Sequence, residues 1–589
     1  MTAQLTPRAD GRPDSGRIRR PPDPRRRRLA SIAAVIAALF LVAVWQTGFT
    51  PWALFGRMDA IGNLLGRMLP PSFVDWPRYV SAVAETLWMV IAGTSIALVL
   101  AVPVSVLAAR NTTTGPIAYN VCRFIITVTR AVPSLVLALI FVRAMGIGPA
   151  AGVLAMGISS VGMIGKFFSD RIEEIDMGLV EAVRASGAGR LQVFTAAVLP
   201  QVLTNWISLA LYRLDINLRN SVVLGFVGAG GIGLELQRVQ GQLVYSRVLA
   251  IALIILVLVI ITERISLLAR RAIQDEDTPR ENPFSLRARL RAHRQKRKGT
   301  SAAESEAGSG TVKTEVSAKA RTATPDQPAR ISVGWYAGRI RRWTMALLAI
   351  AAVISSFAIL QFGPIRLITA IGDIVPYVAA MFPPDFVSNF GRHLDLLLET
   401  IWMAIAATVL GMLISLPIGI LGARNATVHR HAAAVARTLT MLVRGMPDMV
   451  IAIIFVAAVG LGPLAGVMAL TIGSIGMAGK LIADAIEDTD LEGQGEAMKA
   501  SGTTWLQRTF TSTIPTTMPA IVGVGLFMFD VFIRAATIIG IVGAGGIGLA
   551  LEGSFRSRDL DQTLALVIMI FLIIYGTEKL SAWIRRQIL

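Results

Sequence analysis

The chain has 589 residues, 54% of them hydrophobic and only 16% charged, with a formal net charge of +19. Soluble domains carry roughly a quarter charged residues, so a mean hydropathy of +0.61, with apolar runs near the ~20-residue spanning length, excludes a multidomain soluble enzyme, a coiled coil and a disordered scaffold. A single cysteine, Cys122, excludes an internal disulfide framework and any Cys-rich zinc or iron–sulfur site.

Residues 1–28 read as a basic tail; 1–30 hold nine Arg and three Asp, a net +6. The apolar stretch Leu29–Trp45 follows the arginines as in a signal peptide, but it lacks a small-x-small cleavage site and is expected to be an uncleaved first span. Further spans are expected at roughly 83–108, 118–145, 150–168, 195–218 and 245–268, so 29–271 forms one six-span unit. Residues 272–338, rich in Ser, Ala, Gly, Thr and charge, read as a disordered basic linker, because they bury too little apolar surface to offset chain entropy. Counting from Arg264 to Arg342, eighteen Lys/Arg and eight Asp/Glu give +10, so two segments carry +16 of the +19. Both flank spans, and the positive-inside rule puts both, with the two termini, in the cytoplasm. Stacking aromatics are absent among the arginines of the tail, so the basic charge points to membrane lipid and not to nucleic acid.

Residues 339–589 repeat the first unit. TLWMVIAGTSIALVLAVPVSVLAARN (86–111) returns as TIWMAIAATVLGMLISLPIGILGARN (400–425), and the run 129–166 returns as 443–480, both at an offset of 314. After one inserted residue, DINLRNSVVLGFVGAGGIG (215–233) returns as DVFIRAATIIGIVGAGGIG (530–548). Six spans per copy is an even number, so both copies face the same way and are parallel repeats. The expected fold is therefore all-α and membrane-embedded, with two tandem units of about six spans.

Between the fourth and fifth spans of each copy lies a polar stretch. It contains Glu181-Ala182, Gly187 and Pro200 in the first copy, and Glu496-Ala497, Gly502 and Pro515 in the second. Gly ends a short helix and Pro stands near the start of the next span, a helix–turn–helix pattern. The spacing resembles the EAA loop of ABC-importer permeases. RAVPS, RGMPD and the two GAGGIG runs resemble the phosphonate-type branch, relatives of the methionine permeases in the type I importer fold. The third loop position departs from the family pattern, being Val183 or Met498. The resemblance covers nearly all of both copies and implies two such permeases fused in one chain. It further implies that Glu181, Ala182, Gly187, Glu496, Ala497 and Gly502 belong to coupling helices that dock on two ABC ATPase subunits. ATP and Mg would be held in those partners, and an extracytoplasmic binding protein would deliver substrate.

Other motifs are weighed on their spacing. Gly228, Gly230, Gly233 and Gly543, Gly545, Gly548 match G-x-G-x-x-G, but they sit between spans instead of after a strand, so nucleotide binding is excluded. A pathway or gate role and plain close packing both stay open. Gly165-Lys166 and Gly479-Lys480 fail as P-loops, since Ser160 or Ser474 replaces the leading glycine and Phe167 or Leu481 follows the lysine. No catalytic, metal or cofactor constellation emerges, and a transport subunit without its own ATPase motif is expected.

Recurring intramembrane charges are candidates for the substrate pathway. Arg130 and Arg444 stand three residues before a proline, and Arg219 and Arg534 each follow an Asp by four residues. A guanidinium fork suits a phosphorus oxyanion such as phosphonate, phosphate or phosphite. An intrahelical Asp–Arg pair and snorkelling of Arg130 are the alternatives, and Asp448 is a possible i+4 partner of Arg444. Rival functions are an importer for methionine or another small solute, an ion-coupled secondary transporter, and a structural membrane scaffold.

Overall fold

The computed structural model describes residues 24–50, 52–53, 56–274, 337–489, 498 and 500–588. Most of the basic tail and linker, with Glu496 and Ala497, lies outside the described residues. Among the described residues every regular element is helical.

In chain order the first copy forms α1 (Pro24–Thr47), α2 (Met58–Met68), α3 (Trp76–Ala108), α4 (Pro116–Ala131), α5 (Ser134–Met145), α6 (Pro149–Glu173), α7 (Met177–Ala185), α8 (Arg190–Ala229), α9 (Gly231–Gly241) and α10 (Tyr245–Gln274). The second forms α11 (Ala337–Ile359), α12 (Pro364–Ala379), α13 (Phe390–Gly422), α14 (Arg430–Gly445), α15 (Asp448–Val459), α16 (Pro463–Glu487), α17 (Trp505–Ala544), α18 (Ile547–Ser557) and α19 (Leu560–Ile588). Eight described helices are long and apolar enough to cross a membrane, and ten spans result if each bent pair counts as one. Two shorter apolar helices, Ala34–Thr47 and Trp343–Ile359, stand where the sequence places the first span of each copy.

Two expectations change. The third span is not one continuous helix over 118–145: α4 and α5 meet at 86°, and α14 and α15 at 84°. Proline explains the break, since it has no N–H and drives the preceding residue out of the helical region. Val132 (φ −81°, ψ 118°) and Met446 (φ −88°, ψ 128°) are accordingly extended. The fifth span runs well beyond 195–218, as the 40-residue α8 and α17. Each has a wide π-type turn (Phe194–Val198, Thr509–Thr513) just before Pro200 or Pro515, where a backbone donor is missing.

Helix contacts also run between the copies. The compact units are residues 1–67 with 383–589, and residues 68–382. They do not coincide with the copies 29–271 and 339–589. In the first unit α1 packs on α13; in the second α11 packs on α3 and α12 on α5. The intervening helices α2 and α12 separate α1 from α3 and α11 from α13 along the chain, which gives each first helix the reach to pack on a helix of the other copy.

Within each unit the main seam is α3 against α6, or α13 against α16. Lipid supplies little hydrophobic drive for helix association, so small residues are needed for close backbone approach. A Cβ on Gly93 would lie 3.0 Å from the Val153 carbonyl oxygen, and one on Gly419 3.0 Å from that of Gly479. Phe168 and Trp206 stack at 4.4 Å in a buried cluster that joins α6 to α8.

Candidate functional site

The polar loop of the first copy is built from α7 outward. Asp176 caps α7 by accepting from the Gly178 N–H at 2.9 Å. Glu181 and Ala182 are exposed on α7. Val180 is buried, and Val183 packs on the same cluster with Val193, Ala197 and Ile172. The family's missing third alanine thus falls on the inward face. Gly187 (φ +81°) reverses the chain and leads into α8; Gly502 (φ +76°) occupies the same place in the second copy.

A clamp outside the loop motif holds this end of each unit. Glu173, at the end of α6, accepts from the Arg110 N–H (3.0 Å) and pairs with Arg123 (2.8 Å). Asn111 Nδ2 donates to the Ile172 carbonyl at 2.5 Å. Glu487 does the same with Arg424 N (2.8 Å) and Arg437, and Asn425 Nδ2 donates to Ile486 O at 2.8 Å. The A-R-N triplets that close the first repeated block are the visible half of this clamp. Lys166 and Lys480, rejected as P-loop lysines, pair along their own helix with Asp170 (2.5 Å) and Asp484 (2.6 Å).

The glycine motifs sit at the other end of α8 and α17, as a hairpin into the short helices α9 and α18. Gly228 (φ +103°) ends α8 and its carbonyl accepts from Gly148 N at 3.0 Å; Gly543 (φ +95°) accepts from Gly462 N at 2.9 Å. The two arms touch backbone to backbone: a Cβ on Gly233 would lie 2.9 Å from Gly225 Cα, and one on Gly548 3.1 Å from Gly540 Cα. Gly230 and Gly545 press against Pro149 and Pro463. The freed N–H groups of α9 are taken by Glu85 Oε1 (Gly231, 3.2 Å) and Thr86 Oγ1 (Ile232, 2.8 Å). Glu399 and Thr400 serve α18 at 3.0 and 2.9 Å. These glutamates recur one residue before the repeated block begins, a signal that could have found them.

The candidate arginines separate into two kinds. Arg219 Nη2 lies 2.9 Å from Asp215 and 3.8 Å from Glu263; Arg534 lies 2.8 Å from Asp530 and 3.9 Å from Glu578. Each guanidinium thus has an Asp one helical turn earlier as its near partner and a Glu of the last long helix of its copy just beyond it. Arg130 and Arg444 stand at the last turn of α4 and α14, beside the break. Gly162 and Gly476 let that turn sit directly on α6 and α16: a Cβ on Gly476 would lie 2.5 Å from Arg444 N. The proposed i+4 relation of Arg444 to Asp448 spans the break, so ordinary helix-face geometry does not apply to it.

One buried arginine escaped the sequence reading. Arg213 on α8 is 8% exposed; its Nε donates to Ser160 Oγ at 2.9 Å and its Nη1 lies 2.9 Å from Met163 Sδ. Ser160 donates to Asn217 Oδ1 (3.1 Å), whose Nδ2 donates to Thr94 Oγ1 (3.0 Å). Among the described residues, no group of three or more His, Cys, Asp or Glu is placed to hold a metal.

Comparison with known proteins matches the family of binding-protein-dependent transport system inner membrane components twice, over residues 101–274 and 415–588. The chain is 39% identical to the phosphate-import permease protein PhnE of Mycolicibacterium smegmatis over 548 residues, 93% of each chain. It is 42% identical to the phosphite transport system permease protein PtxC of Stutzerimonas stutzeri over 40% of this chain and 87% of that one. A probable D-methionine transport system permease protein of Pasteurella multocida is 29% identical over 31% of this chain and 91% of its own.

Proposed function

We propose a specific task for this chain, which belongs to the family of binding-protein-dependent transport system inner membrane components: it is the fused permease of an ATP-driven importer of a phosphorus oxyanion. The observation that carries the substrate class is the 39% identity to a phosphate-import permease across 93% of both chains. The methionine reading rests on a match to 31% of this chain and is the weaker one.

In this reading α7 and its counterpart around Gly502 are cytoplasmic coupling helices, one for each of two ATPase subunits that bind ATP and Mg. Exposed Glu181 and Ala182 form the docking face. The buried side of α7 and the Glu173 clamp make that face rigid with α3, α4 and α6, so a push on the loop moves the unit. Both termini and the linker then lie in the cytoplasm, where the positive-inside rule places their charge. The glycine hairpins lie at the extracytoplasmic ends, facing the binding protein, and are candidate hinges because the backbone leaves helical geometry there. Arg130 and Arg444 are the candidate pathway ligands; Arg219 and Arg534 act through their carboxylates as structural pairs. Nothing covalent happens to substrate in this chain. Co-purification of the chain with its ATPase, weakened by Glu181→Arg and not by an exchange on the opposite membrane face, tests the coupling assignment. An unaltered complex in Glu181→Arg refutes it.

A further inference from the structure

At Arg213 the two copies differ in chemistry, since the corresponding residue of the second is Met528. Thr94 and Ser160, which complete its network, stand near the middle of α3 and α6, so the guanidinium lies at about half the depth of the spans. Intramembrane charge is costly and is normally paired. Among the described residues Arg213 has no carboxylate within ion-pair distance, and its hydrogen-bond contacts are Ser160 and Met163. A thioether sulfur is a weak acceptor, so Nη1 is poorly satisfied, and among the described residues Nη2 has no hydrogen-bond partner. The second copy keeps Thr408, Ser474 and Met477 but puts Met528 and Phe532 where the first has Arg213 and Asn217. Both are buried, at 1% and 2% exposure. The same helix packing is therefore compatible with an entirely apolar filling, and packing alone does not call for the charge.

We infer that Arg213, supported by Ser160 and Asn217, is a one-sided binding point for a tetrahedral oxyanion at mid-membrane. Ser160 fixes Nε and Asn217 orients Ser160, leaving the two Nη groups as a fork. An anion oxygen displaces the Met163 sulfur from Nη1 while a second oxygen takes Nη2, the bidentate geometry guanidinium favours. Two identical subunits would place this arginine twice; a fused chain carries it once. A single fork holds the anion without trapping it, which passage requires. No bond is made or broken. The identity of the anion rests on the phosphorus-oxyanion reading above.

The test is thermal unfolding of the purified full chain in lipid nanodiscs, titrated with phosphate, phosphite and methylphosphonate, and with chloride and methionine as comparators. Arg213→Met installs the second copy's own residue, so it is expected to fold at least as well as the parent, because removing a buried unpaired charge relieves strain. Arg213→Lys keeps the charge without the fork. The parent midpoint is expected to rise with the phosphorus oxyanions. Half-saturation should shift roughly tenfold or more in Arg213→Met and by less in Arg213→Lys. An oxyanion response unchanged in Arg213→Met overturns the site and leaves the substrate reading standing. An Arg213-dependent response to chloride alone keeps an anion site and overturns the substrate reading. No anion response in the parent overturns the inference.

Discussion

Gly476→Ala tests whether the position of Arg444, and not merely its charge, matters to transport. The added Cβ would sit 2.5 Å from Arg444 N and 2.8 Å from its Cα, where ordinary contact begins at 3.4 Å. The last turn of α14 must therefore retreat by about 0.9 Å, and since the obstructing atoms are backbone, no rotamer change relieves it. Overpacking of this kind costs about 1–3 kcal/mol. Gly162→Ala meets Arg130 N and Cγ at 2.8 Å and should behave alike. Gly241→Ala is the matched control: it is helical with nothing within 4 Å, so replacing glycine by alanine should be neutral or stabilising by up to ~1 kcal/mol. Thermal unfolding and substrate uptake per folded molecule are measured together in proteoliposomes containing the full complex. The expected result is a lowered midpoint and reduced uptake for Gly476→Ala and Gly162→Ala, with both unchanged in Gly241→Ala. Parent-like uptake in the two strained variants, despite a lowered midpoint, refutes the placement of Arg130 and Arg444 on the pathway.

Three further outcomes follow from the same geometry. Arg130→Gln with Arg444→Gln should cut uptake while the ATPase still co-purifies; unchanged uptake removes these residues from the path. Arg219→Gln should destabilise by about 3–5 kcal/mol, because it strands the buried carboxylate of Asp215. Most of that loss should return in Arg219→Met/Asp215→Leu, and failure of the double variant to recover argues against a pair-only role. Deleting residues 1–48 should raise hydrogen exchange in α13 and leave α3 as it was, since α1 packs on α13. The opposite pattern contradicts the exchanged first helices.

Much of this architecture is legible in the residues because duplication writes every structural requirement twice. The spans, the loop glycines Gly187 and Gly502, and the Asp–Arg spacing of α8 and α17 recur at an offset of 314, or of 315 after the one inserted residue. What recurrence cannot reveal is partner choice: the apolar pattern of α1 says that it is buried in lipid or protein, not which copy it covers. The bend at Pro133 and Pro447 was legible in principle, since proline after an extended residue ends a helix. Hydropathy nevertheless runs unbroken across it. Recurrence also hides asymmetry. A search for repeated intramembrane arginines passes over Arg213, whose counterpart is Met528. The glycine motifs needed backbone geometry, because only the touching arms of the hairpin show that Gly233 and Gly548 serve close packing.

Uptake of radiolabelled phosphate, phosphite and methylphosphonate into proteoliposomes, with the chain reconstituted alone and with its ATPase and binding protein, separates an ATP-driven importer from an ion-coupled carrier. The expected result is accumulation that requires both partners and ATP, with a phosphorus oxyanion preferred over methionine. Accumulation by the chain alone, driven by an imposed proton or sodium gradient and indifferent to ATP, would contradict it.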